Sequence, residues 1–91
     1  MSVVIRVPTP LRRLTGGADR LEVEGRTLRE VLQSADRRFP GFWERLVTEE
    51  GELRPFINLY VNGDDVRFLK ELDTEVKPGD EVTIVPAVAG G

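Results

Sequence analysis

A chain of 91 residues with 40% hydrophobic content makes one small domain, long enough for a single core and too short for two. Thirteen basic against sixteen acidic residues leave a net charge of −3, which gives no chain-wide attraction to nucleic acid or to an anionic membrane surface. Cysteine and histidine are both absent, which excludes disulfides, thiolate nucleophiles, imidazole bases and the usual transition-metal ligands, and leaves only carboxylates for acid–base work.

Residues 3–7 read as a first strand, with Val3, Ile5 and Val7 on one face and Val4 and Arg6 on the other. Pro8 and Pro10 should interrupt its ladder. A turn-rich stretch, Leu14-Thr15-Gly16-Gly17-Ala18-Asp19, then leads into alternating residues 20–24, so the opening is an antiparallel hairpin with a long loop. Glu22 and Glu24 alternate there with Leu21 and Val23, as on a solvated strand face, and Glu49, Glu50 and Glu52 flank Gly51 in a loop. Neither pattern marks a catalytic carboxylate pair.

At Thr27 the period changes. Thr27-Leu28-Arg29-Glu30 matches a capping box, in which Thr27 accepts from the amide of Glu30 and Glu30 reaches back to the amide of Thr27. Leu28, Val31, Leu32 and Ala35 follow at i, i+3, i+4 and i+7, a one-sided apolar stripe that predicts a helix over 28–38. Pro40-Gly41 closes it, and residues 42–47 offer a second short helical turn whose aromatics, Phe42 and Trp43, plug the open end of the core.

Alternation resumes over 53–62, with Ile57, Leu59 and Val61 facing one way and Phe56, Asn58 and Tyr60 the other. Asn62-Gly63 is a tight-turn signal, since both residues tolerate positive φ. Residues 64–70 suit a brief strand or a turn of 3₁₀ helix. Lys77-Pro78-Gly79-Asp80 turns into a last strand over 81–85, with Val82 and Ile84 inward, and Pro86, which has no amide hydrogen, ends its ladder. The order predicts an α+β domain, a mixed sheet of four or five strands with one main helix on one face. The first and last strands would lie parallel at its centre. The domain would span residues 1–86, and 87–91 would form a flexible tail.

That tail, Ala87-Val88-Ala89-Gly90-Gly91, is apolar and ends without side chains. Such an end can enter a narrow, deep active site, because nothing projects sideways and glycine accepts backbone angles closed to other residues. Fully extended, it reaches about 17 Å. If Ile57, Leu59 and Val61 pack under the helix, then Phe56, Tyr60 and the outward Val85 lie on the uncovered sheet face, with Phe68 beside them, and large apolar residues there suggest a partner surface. Arg12-Arg13 and Arg37-Arg38 read as solvated surface.

Phe56-Ile57-Asn58-Leu59-Tyr60-Val61-Asn62, Asp65-Val66-Arg67-Phe68 and the terminal run Gly79-Asp80-Glu81-Val82-Thr83-Ile84-Val85-Pro86-Ala87-Val88-Ala89-Gly90-Gly91, together with the element order, resemble the ubiquitin-like β-grasp sulfur carriers of the MoaD/ThiS family. The similarity is greatest to the branch of CysO type, and the Leu14-Thr15-Gly16-Gly17 loop matches the same branch. The resemblance implies that the chain is a protein co-substrate and not an enzyme. A partner of the ubiquitin-activating type would adenylate the carboxylate of Gly91, and sulfide or a sulfurtransferase persulfide would then displace AMP to leave a thiocarboxylate. Ala87, Val88, Ala89 and Gly90 would thread the partner's access channel.

In that branch the sulfur goes to cysteine. It attacks an aminoacrylate made by a pyridoxal-phosphate-dependent synthase, and a zinc peptidase of the isopeptidase type releases the product. The resemblance thus places ATP, pyridoxal phosphate and zinc in the partners and no cofactor on this chain. The chain has no phosphate-binding glycine loop with a following lysine, in keeping with ATP on the partner. Alternative acceptors for the same chemistry are molybdopterin precursor, tRNA, thiamine or another small molecule such as a sugar. A ubiquitin-like modifier conjugated through Gly91 is a further alternative, and an inert tail on an interaction domain is another. Residues 1–6 lack the features of a secretory signal and no apolar run reaches membrane-spanning length, so the expected location is the cytoplasm and the expected free state a monomer.

Overall fold

The computed structural model describes residues 2–86, and the expected tail over 87–91 lies outside them. Five strands form one mixed sheet: β1 (Val3–Arg6), β2 (Arg20–Val23), β3 (Ile57–Val61), β4 (Asp64–Asp65) and β5 (Glu81–Pro86), in the spatial order β2-β1-β5-β3-β4. β1 pairs antiparallel with β2 and parallel with β5, and β3 pairs antiparallel with β5 and with β4. The expected central parallel pair is therefore present.

The main helix, α1 (Leu28–Arg38), has the expected bounds, and Leu28, Val31, Leu32 and Ala35 are fully buried against the sheet. They meet the inward row of Val3, Ile5, Leu21, Val23, Leu59, Val61, Val82 and Ile84, which supplies the other half of the core. The cap departs from a reciprocal box. Thr27 Oγ1 accepts from the amide of Glu30 at 3.2 Å, but the Glu30 carboxylate reaches the amide of Arg26 at 2.9 Å, one residue further back than expected. Thr27 is extended and bridged to Glu75, with Arg26 O and Leu28 N bonded to Val76 N and Thr74 O, so the chain enters the helix from a short two-stranded contact.

The short helix α2 (Phe42–Leu46) comes a single turn after α1. One oxygen of Asp36 accepts from the amides of Gly41 (3.1 Å) and Trp43 (3.0 Å), so a side chain of α1 satisfies first-turn donors of α2. Gly41 holds φ at +100°, which lets the chain reverse there. Phe42 is fully buried and Trp43 packs against the core half-buried, so the aromatics do close that end.

Two expectations need correction. Residues Thr9–Thr15 are a 3₁₀ helix with Leu11 and Thr15 buried, where the prolines had suggested only a loop. Pro8 and Pro10 stop the strand, but proline is also well suited to begin a helix, its fixed φ and missing donor both being tolerated there. Secondly, β3 begins at Ile57 and not at Leu53. Leu53 bridges to Val47, and Pro55, lacking an amide hydrogen, separates that contact from the ladder. The Asn62-Gly63 turn is as expected, with φ of +51° and +89°, and both alternatives for 64–70 occur in succession, β4 and then a 3₁₀ helix over Val66–Phe68. A further 3₁₀ helix, Glu71–Asp73, packs against α1, where Arg29 pairs with Asp73 at 3.1 Å.

Gly25 occupies the handover from β2 to α1, where an added Cβ would stand 2.7 Å from the amide nitrogen of Val31 and 2.9 Å from its Cγ2. The obstruction includes helix backbone, which cannot swing aside. Gly25→Ala is expected to destabilise the fold by about 1–3 kcal/mol in urea titration with an unchanged m-value.

Candidate tail-exit and docking face

Strand alternation puts one set of side chains on the sheet face that α1 leaves open. The registers arrange them in rows. Glu22, Val4 and Glu81 form one row; Arg20, Arg6, Thr83 and Tyr60 the next; Val85 and Asn58 the one after it. Because β5 runs parallel to β1, its last residue, Pro86, lies at the end where β1 finishes and β3 begins, opposite Ile57. The last described residue therefore stands in the middle of the sheet at that end. Gly90, Gly91 and the threading residues Ala87, Val88 and Ala89 lie outside the described residues.

The expected docking residues are distributed unevenly. Val85 is on the open face and 41% exposed, next to Asn58. Tyr60 is on the same face, half-buried between Thr83 and Asp65. Phe56, expected on the sheet, sits instead in the turn before β3 and is 55% exposed, because Pro55 delays the strand. Phe68 stands on the 3₁₀ helix after β4, 87% exposed, and Leu69 beside it is 46% exposed.

Arg67 ties these parts together and was not anticipated. Its guanidinium donates to Asn58 Oδ1 at 2.6 Å, to Ile57 O at 2.8 Å and to Arg54 O at 3.3 Å, while its amide donates to Asp65 Oδ1 at 2.9 Å. One rigid fork therefore fixes both flanks of Phe56 and, through the backbone, the neighbouring Phe68. Sequence could have flagged it only through its place between the two phenylalanine-bearing segments. Arg54 is itself held, its Nε donating to Glu44 O at 2.9 Å.

A groove of about 160 Å³ opens beside the exit between the start of the Thr9–Thr15 helix and β5, lined by Arg6, Val7, Pro8, Arg12, Asp19, Thr83 and Ile84. Arg12 is fixed along it, Nε donating to Val7 O at 3.1 Å. Grooves of about 540 and 440 Å³ lie elsewhere, lined mainly by charged and polar side chains of α1 and the loops packed on it. Among the described residues no group of three or more acidic side chains is placed to hold a metal ion, and no helix is long and apolar enough to cross a membrane.

The model of the ThiS family matches residues 5–91. The sulfur carrier protein CysO of Mycobacterium tuberculosis is 44% identical over 93 residues, the whole of both chains. In the crystal structure of the Amycolatopsis orientalis BexX/CysO complex, a chain 49% identical superposes with a TM-score of 0.93, covering 98% of this chain and 99% of its own length. Small archaeal modifier protein 3 of Haloferax volcanii is 38% identical over 65 residues, 71% of this chain and 70% of its own.

Removing the Arg67 fork should loosen the exit end while sparing the core. Arg67→Ala is expected to lower stability by about 1–2 kcal/mol and to raise amide hydrogen exchange at Phe56 and Ile57 well above that of Leu32 in α1. Equal protection at all three sites would contradict the role given to the fork.

Proposed function

The chain belongs to the ThiS family, and we propose that it is a sulfur carrier whose working group is the carboxylate of Gly91. The observation that carries this reading is the full-length similarity to CysO together with a family match that extends to the final glycine. A free carboxylate is a poor acyl donor, so activation has to come first. A partner of the ubiquitin-activating type would bind ATP; the Gly91 carboxylate attacks the α-phosphorus, pyrophosphate departs and an acyl-adenylate remains. Sulfide, or a sulfurtransferase persulfide with a thiol as reductant, then adds to the acyl carbon and AMP leaves. The product is a thiocarboxylate, a nucleophilic sulfur held on a protein.

The chain's own contribution is position. The sheet delivers the terminus from its centre, and Val85, Tyr60, Phe56 and Phe68 flank the exit as the surface on which the activating enzyme would dock. ATP, pyridoxal phosphate and zinc belong on this reading to partners, and the sulfur is destined for cysteine, in a synthase reaction followed by hydrolytic release. The BexX/CysO complex supports the idea that a carrier of this kind assembles with a partner protein. A second reading, a modifier joined through Gly91 to target lysines, draws support from the archaeal modifier relative, since the same adenylate would react with an amine.

Two experiments test the proposal. With activating enzyme, ATP and sulfide, the wild type should gain the mass of one oxygen-to-sulfur exchange, whereas Gly91 deletion and Gly90→Val should fold normally and gain nothing; thiocarboxylate formation in either variant would overturn the assignment. Thiol-resistant, slowly migrating adducts without a thiocarboxylate would favour the modifier. For the surface, Val85→Asp and Tyr60→Asp are each expected to weaken binding to the activating enzyme about tenfold or more, read by calorimetry.

A further inference from the structure

We infer that the exit end of the open sheet face is a basic seat for a rim of carboxylates on the protein that receives the chain terminus, with Arg6 and Arg20 at its centre. The inference rests on the sulfur-carrier reading and adds the chemistry by which the partner is recognised.

Arg6 and Arg20 are direct cross-strand partners in the β1–β2 ladder and project from the same face. Side chains in that relation have Cβ atoms about 4.5–5.5 Å apart, and like charges there are destabilising. The chain carries more acid than base, yet no side-chain hydrogen bond or ion pair engages Arg20 among the described residues. Arg6 reaches only Glu81, at 3.5 Å with side chains 53% and 47% exposed, a pair too solvated to offset much. Arg12 lies in the adjoining groove, and Arg67 is fixed on the far side of the exit. Asp19, in that groove, and Asp65, bonded to the Arg67 amide, are the nearby acids.

The other end of the same face has the opposite character. Glu22 and Glu81 flank Val4 there, and Asp80 closes the turn into β5 with Oδ1 accepting from Asn62 Nδ2. Lys77 also stands in that turn, but on the sheet face itself charge runs from negative to positive along the strands toward Pro86. A partner with carboxylates around its channel mouth would attract the exit end and repel the other, and so orient the carrier terminus-first before contact. Guanidinium forks suit carboxylates because two parallel donors meet two oxygens. An extended polyanion fits less well, since Glu22, Glu81 and Asp80 lie on its path and the exposed apolar Val85 and Phe56 border the seat.

The test is the association rate with the activating enzyme of the same organism, measured by stopped flow between about 0.05 and 1 M salt. Arg6→Glu with Arg20→Glu should slow association about tenfold or more at low salt, with the difference vanishing at high salt, while Glu49→Gln, in the loop around Gly51, leaves the rate within about twofold. Arg6→Gln with Arg20→Gln should show a smaller defect of the same salt dependence, and its melting temperature should equal or exceed that of the wild type. Equal rates at low salt, or a loss that persists at high salt, overturns the seat even where the wild type is thiocarboxylated. Failure of the wild type to form a thiocarboxylate overturns the carrier reading and this inference together. Binding of a single-stranded RNA oligonucleotide at physiological salt, lost in the same variants, would assign the seat to nucleic acid and overturn it as well.

Discussion

Everything at the working end of this protein depends on β5 lying between β1 and β3. The pairing joins Val4 to Glu81, near the two ends of the described chain, and so encloses almost the whole domain in one loop. Loop-closure entropy grows only logarithmically with length, and burying Val82 and Ile84 against Val3, Ile5, Leu59 and Val61 beneath α1 offsets it. Parallel partners cannot be joined by a hairpin, so everything between β1 and β5 serves as the crossover. The same geometry decides where the chain leaves the sheet. β5 ends where β1 ends and β3 starts, which collects the Thr9–Thr15 helix, the turn before β3 and the Arg67 fork around one exit.

The two faces of the sheet divide the labour. The inward face is closed by α1 and α2, and no buried side-chain nitrogen or oxygen lacks a partner among the described residues. That side supplies stability alone. The outward face has no such cover, and its residues can vary in charge with little effect on the fold, since exposed substitutions usually shift stability by less than about 0.5 kcal/mol. Selection for a partner can act on it without disturbing the core. The Arg6–Arg20 opposition illustrates the point, a local repulsion tolerated on a face that α1 leaves open.

Local signals carried most of the fold in the sequence. The helix announced itself through a cap and a four-residue apolar stripe, and Asn62-Gly63 through the positive φ that both residues accept. Proline was misleading because its effect depends on the residues C-terminal to it. Pro8 and Pro10 stop a strand and also introduce a 3₁₀ helix, while Pro55 cuts an alternating run that continues through it in sequence. That cut moved Phe56 off the sheet. The pairing of Arg6 with Arg20 and the reach of Arg67 to Asn58 were hidden for a different reason. Each needs a register or a tertiary approach that no single-strand pattern contains. The role read for the terminal glycines lies outside the described residues and rests on sequence alone.

The identity of the cations at the exit also matters to the proposed chemistry. An adenylated Gly91 is an acyl electrophile, and any unprotonated amine within reach would compete with sulfur for it. Arg6, Arg12, Arg20 and Arg67 present positive charge on delocalised guanidinium groups, so they can attract carboxylates without acting as nucleophiles. Neither of the chain's two lysines belongs to this group. Lys77 opens the turn that feeds the start of β5, the end opposite the exit, and Lys70 precedes the 3₁₀ helix that packs on α1. Five residue steps of strand, about 17 Å, separate the start of β5 from Pro86. A basic seat made of arginine therefore meets two demands that lysine could not meet together, binding a partner's carboxylates and leaving the activated terminus intact until sulfur arrives.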